Sequence, residues 1–159
     1  GGAVSAEWFT VGGVFQAINS RADSHGGGIS AGTIVFLPGG YILLANTSAT
    51  TFGAAMHVRS KLDAQGFLLI QDSVSALGSI MQVNGPLTLW NTYFSDTDAS
   101  GGCLVSGIGP SMSLQNVTFS PRSGRHMCWA QDGSEGADAK AVLKGIVIDR
   151  GQGSQLQFR

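Results

Sequence analysis

A repeat is the feature that most constrains this chain. The segment Leu89-Trp90-Asn91-Thr92-Tyr93-Phe94-Ser95 returns as Leu114-Gln115-Asn116-Val117-Thr118-Phe119-Ser120, with leucine, asparagine and phenylalanine each displaced by 25 residues. Met56 and Met81 keep the same interval, in Ala55-Met56-His57-Val58 and Ile80-Met81-Gln82-Val83, and so do Cys103 and Cys128. A weaker third copy, Leu143-Lys144-Gly145-Ile146-Val147-Ile148, follows after 29 residues, which places four extra residues within 132–139. Unrelated residue types that share one interval define a repeat protein.

Each period holds two or three short apolar strands punctuated by Gly, Ser, Asn and Asp, and no helical pattern fills the gaps. That excludes βαβ units, leucine-rich repeats with long helices, and helical solenoids. Hydrophobic residues make up 43% of the chain, so its 24 glycines do not signal disorder. Four prolines without a three-residue period exclude collagen. One coil per 25 residues, with strands stacked about 4.8 Å apart, describes a parallel β-helix. Residues 33–158 supply about five coils. The expected fold is all-β: a short right-handed parallel β-helix with an N-terminal capping α-helix. It forms one domain over residues 1–159, with a cap region at 1–31 and stacked coils at 32–159.

The cap is read from residues 13–21, where Val14, Phe15, Ala17 and Ile18 fit a short amphipathic helix and Gly26-Gly27-Gly28 ends it. Strands at 33–37 and 41–44 follow, broken by Pro38-Gly39-Gly40. Taken together, Gln16-Ala17-Ile18-Asn19, the three glycines at 26–28 and Gly32-Thr33-Ile34-Val35-Phe36-Leu37-Pro38-Gly39-Gly40-Tyr41 resemble the N-terminal cap and first coil of pectate-lyase-like right-handed β-helices. Gly101-Gly102-Cys103-Leu104 with Leu114-Gln115-Asn116-Val117-Thr118-Phe119 is similar to the parallel β-helix repeats of adhesin-like surface proteins. The resemblance implies a helix plugging the open end of the stack, and carbohydrate as one class of ligand or substrate.

Asn91 and Asn116 stand one coil apart and are expected to stack as a hydrogen-bonded ladder. Asn116-Val117-Thr118 and Asn46-Thr47-Ser48 are both glycosylation sequons. The ladder reading is preferred at Asn116, and Asn46, in a polar loop, is the better sugar acceptor. Cys103 and Cys128 fall in adjacent coils, within reach of a disulfide. Parallel side chains in register meet badly for that bond, so stacked free thiols are expected and a disulfide is the alternative. Phe94 with Phe119, and Leu89 with Leu114, read as core stacks. Asp96 and Asp98 form the best carboxylate pair for sugar chemistry, and Arg122, Arg125 and His126 occupy the equivalent turn one coil later. Such a set could bind a sugar or a cation, although the simpler reading is a solvated turn with an inter-coil salt bridge. His57 is expected to point outward from a strand and His25 to lie in a loop. Asp132, Glu135 and Asp138 lack the spacing of a calcium loop, and no metal or cofactor is expected.

A net charge of −1 and a sequence pI near 6.3 give no basic stripe for nucleic acid. No apolar run approaches the roughly 18 residues of a membrane helix, and no targeting segment is visible. The leading functional expectation is a non-catalytic structural or interaction subunit of a larger assembly, on a surface, in a virion or in an organellar complex. The alternative is a carbohydrate-binding or polysaccharide-degrading β-helix, and catalysis would then be that of a polysaccharide lyase or glycoside hydrolase. An extracellular, virion or organelle-lumen setting is favoured over cytoplasm. Residues 142–148 form an apolar strand with no plug after it, so the C-terminal coil is expected to be covered by another subunit or by self-association.

Overall fold

The computed structural model describes residues 2–131, 140–148 and 156–158. Among them every regular element is a strand, and every strand pairing is parallel. The first coil is β1 (Val4–Val11), β2 (Val14–Ile18) and β3 (Arg21–Ala22). The second is β4 (Ile29–Phe36), β5 (Tyr41–Ala45) and β6 (Ser48–Ala49), and the third is β7 (Met56–Ala64), β8 (Phe67–Gln71) and β9 (Val74–Ser75). Later strands run through the corners: β10 (Met81–Asn84), β11 (Leu87–Ser95), β12 (Asp98–Gly109), β13 (Ser111–Ser120), β14 (Ser123–Gln131), β15 (Lys140–Ile148) and β16 (Leu156–Phe158). They wind a parallel β-solenoid of about five turns.

Four ladders run along the stack. The first joins residues 4–6 of β1 to β4, β7 and β10, and continues through 105–109 of β12 to 127–131 of β14 and β16. The second joins residues 8–11 of β1 to the second halves of β4 and β7 and the first halves of β11, β13 and β15. The third comprises β2, β5, β8 and the second halves of β11, β13 and β15. A short fourth ladder holds β3, β6 and β9, with Asp98 and Ser123 continuing it.

Side chains alternate in and out along each strand, so equivalent inward residues stack into columns. One column reads Phe36, Ala64, Leu89, Leu114 and Leu143, and another reads Leu44, Ile70, Phe94, Phe119 and Ile148. Size is balanced within columns. Ala64 sits between Phe36 and Leu89, and Gly107 sits between Val83 and Trp129. A Cβ at Gly107 would collide with the Val83 carbonyl oxygen and come within 2.9 Å of the Trp129 ring. A thin coil cannot bury this apolar surface alone, so stability lies in the stacking of neighbours.

The expected register holds for Met56↔Met81, Leu89↔Leu114, Phe94↔Phe119 and Leu114↔Leu143. The capping helix does not form. Residues 14–18 are strand β2, bonded along their length to β5 from Val14↔Tyr41 to Ile18↔Ala45. Phe15 and Ala17 turn toward the core while Val14, Gln16 and Ile18 are exposed, a period of two that the same residues satisfy as well as a helical one. A helix of about nine residues flanked by glycine is marginal on its own, whereas the strand gains a full ladder of backbone bonds. The region assigned to a cap is therefore the first coil, whose core is closed by Phe9 edge-on to Phe15 and to Phe36, with centroids at 5.1 and 6.4 Å. The expected insertion within 132–139, with Asp132, Glu135 and Asp138, lies outside the described residues.

Candidate functional site

Two corners of the solenoid are built by residues in the left-handed backbone region, which asparagine and aspartate tolerate better than other side chains. Asn19, Asn46, Asp72 and Asp96 turn the chain out of the third ladder with φ of 56, 50, 48 and 49°. Asn91, Asn116 and Gly145 turn it from the second ladder into the third with φ of 48, 53 and 62°. The expected asparagine ladder is present: the Asn116 amide nitrogen donates to Asn91 Oδ1 at 3.1 Å. A second one was not anticipated. The Asn46 amide nitrogen, the atom a glycan would occupy, donates to Asn19 Oδ1 at 2.6 Å. Thr47 of that sequon is buried and its hydroxyl bonds Ser73 at 2.8 Å.

The carboxylates and cations proposed for chemistry go to separate places. Arg122 reaches two coils down the stack to Asp72, at 2.5 Å. Asp96 Oδ2 accepts from the Ser95 hydroxyl at 3.1 Å. Asp98 Oδ1 accepts from the Ser100 backbone N–H at 3.0 Å and from the Ser123 hydroxyl. Arg125 lines a recess on the outer face of the first ladder with Gln82, Asn84, Ser106 and Ile108. His126 turns into the core, fully buried and edge-on to Phe119 with centroids 5.8 Å apart. Neither of its ring nitrogens has a hydrogen-bond partner among the described residues. No cluster of three or more His, Cys, Asp or Glu suited to a metal ion exists among the described residues.

Cys103 and Cys128 form a disulfide with Cα atoms 5.9 Å apart, which replaces the expected pair of free thiols. The reason is register. Asp98 pairs with Ser123, but the ladder then shifts, so that Cys103 pairs with Arg125 and Cys128 with Ser106. The two residues therefore stand out of register in adjacent coils, with a Cα separation inside the range a disulfide spans.

His25 and His57 also come together. Their rings lie 4.8 Å apart, and His25 stacks on Phe52 at 5.8 Å. The Ser24 hydroxyl bonds His25 Nδ1. Burial holds the His57 imidazole below its ordinary pKa, and the nearby His25 and Arg59 push in the same direction. Arg59 pairs with Glu7 at 2.7 Å across the intervening coil, where a Cβ at Gly32 would collide with the Glu7 carboxylate.

The outer face of the third ladder differs from the others. Its outward side chains, among them Val14, Tyr41, Leu43, Phe67, Leu69 and Tyr93, include no charged residue in any described strand. The outward side chains of the first two ladders include His57, Arg59, Lys61 and Asp63. Tyr41 and Phe67 stack ring on ring, 5.5 Å apart and 6° from parallel. Beside Phe67 the next coil offers Asn91 in place of a third ring. The result is a shallow recess of about 290 Å³ lined by Phe67, Asn91, Thr92, Tyr93, Asn116 and Thr118. Comparison with protein-family models, with curated proteins and with solved structures finds no match. The alternation that creates this face was readable in the sequence at 41–45 and 67–71. Reading 14–18 as a helix hides its first row.

Proposed function

We propose that the chain is a non-catalytic interaction module, a β-solenoid that displays a surface within a larger assembly. The observation that carries this reading is the uncharged, aromatic outer face of the third ladder, since depletion of charge and enrichment in aromatics mark the centre of protein interfaces. The fate of the candidate catalytic groups supports it. Arg122 is committed to Asp72, Asp98 to Ser100 and Ser123, and His126 to the core, so the side chains that would have to converge on a sugar diverge. The Cys103–Cys128 disulfide suits an oxidising surface, virion or lumenal setting.

A second reading, a carbohydrate-binding β-helix related to the pectate-lyase-like superfamily, is favoured by one feature. The recess beside Phe67 combines two aromatic side chains with two asparagine amides. Incubation with neutral and acidic polysaccharides, followed by assay of new reducing ends and of unsaturated products, tests the main reading. No turnover is expected. Turnover that disappears in Asp96→Asn or Asp98→Asn would overturn it.

A further inference from the structure

We infer that the outer face of the third ladder binds a second copy of this chain, packed face to face about a two-fold axis. The inference rests on the interaction-module reading and names its partner. Val14, Ile18 and Phe67 are 73, 51 and 44% exposed on this face, and Val147 continues it at 52%. Polar side chains line both corners of the face, Asn91 and Asn116 on one side and, on the other, Asn19 and Asn46 followed by Asp72, paired with Arg122, and Asp96. An apolar centre inside a polar rim is the anatomy of an interface.

Charge and relief select the occupant. A partner presenting charged groups would bury them against a surface with no counter-charge, which is costly. The same face carries none, so two copies meet without that penalty. The face is also complementary to itself. The Tyr41–Phe67 ring stack stands out in the second and third coils, and the recess with its short Thr118 lies in the fourth and fifth. An antiparallel pair sets the stack of each copy over the recess of the other, and a two-fold axis makes the contact twice. Size fixes the strength. Six strands about 4.8 Å apart, each contributing about five residues of 3.3 Å, give a footprint of roughly 400 Å² per copy, or roughly 800 Å² in total. That lies below the roughly 1,200 Å² of stable specific interfaces and implies a weak, transient dimer.

Analytical ultracentrifugation of the 159-residue chain from about 1 to 500 μM tests this. The expected result is a monomer–dimer equilibrium, weakened roughly tenfold or more by Phe67→Lys and by Tyr93→Lys. Trp8→Lys, at an exposed apolar position on the second ladder, should leave it unchanged. Phe67→Ala and Tyr93→Ala serve if either lysine variant loses its far-ultraviolet circular dichroism. A monomer over the whole range overturns the inference, as does a dimer indifferent to all four face variants. Retardation of a monomer in gels containing neutral polysaccharide, lost in Phe67→Lys, would assign the face to a glycan and overturn it as well. None of these outcomes bears on the non-catalytic reading, which falls only with turnover.

Discussion

Replacing His126 by leucine should make the protein more stable. The side chain is fully buried, and both ring nitrogens lack hydrogen-bond partners among the described residues. A neutral imidazole carries one N–H donor and one bare acceptor nitrogen. Leaving such groups unsatisfied in the interior costs about 1–3 kcal/mol, and replacement by an apolar group of similar shape removes that cost while keeping the burial. Leu104 stands at the equivalent place one coil earlier, fully buried, so leucine continues a column already built for it. The change forfeits the edge-on contact with Phe119, a loss of about 0.5–1.5 kcal/mol. The net expectation is a gain of about 1 kcal/mol. For a chain of this size that raises the midpoint of thermal unfolding by about 2–4 °C. Urea unfolding followed by circular dichroism, with an unchanged m-value, measures the free energy directly. His126→Ala is the companion, expected to destabilise because it leaves a cavity. A His126→Leu variant that folds but is less stable than the parent would refute the reasoning, because the nitrogens would then have partners in solution.

Two further outcomes follow from the corners and the cross-link. Reducing the Cys103–Cys128 disulfide, which spans 25 residues, should lower the unfolding free energy by about 3.5 kcal/mol through the entropy of the unfolded chain. Denaturant midpoints with and without a thiol reductant check this, and coincident midpoints would contradict it. Asn116→Ala should cost about 1–2 kcal/mol, because alanine resists the 53° φ and breaks the bond to Asn91, whereas Asn116→Gly keeps the backbone conformation and should cost less. Equal losses in the two variants would show that the left-handed corner is not what selects asparagine.

The register was legible wherever a repeated residue type coincided with an unchanged coil length. Leu89 over Leu114, Phe94 over Phe119 and Asn91 over Asn116 all lie in a stretch where β11 and β13 pair without a slip. The cysteines are neighbours in adjacent coils, with Cα atoms 5.9 Å apart, yet they are out of register. They share the 25-residue interval, yet β12 spends more residues than β14 on the corner after the fourth ladder, so the partner of Asp98 is 25 residues on and the partner of Cys103 only 22. An interval in sequence equals a register in space only when no corner between the two has changed length. The N-terminal strand failed differently. Five residues, apolar at 14, 15, 17 and 18, satisfy both a helical and an alternating period, and the decision belongs to the ladder offered by Tyr41–Ala45, which no local pattern reveals.

The corner that carries Asp96 follows a pattern set along the stack. In the first four coils the corner after the third ladder is turned by a left-handed residue, Asn19, Asn46, Asp72 and Asp96 in succession, and Pro121 takes the equivalent place in the fifth. Two asparagines can stack there because an amide both donates and accepts, as Asn46 does to Asn19. Two carboxylates only accept, and like charges in neighbouring coils repel. Donors are supplied accordingly. Gln71 donates to Asp72 at 3.1 Å, Ser95 donates to Asp96 at 3.1 Å, and Arg122 extends past Asp96 to reach Asp72 at 2.5 Å. Arg122 is therefore placed where a column of asparagines has been continued in aspartate. Arg122, with the Gln71 amide and the Ser95 hydroxyl, is the means by which this corner accepts two carboxylates in succession.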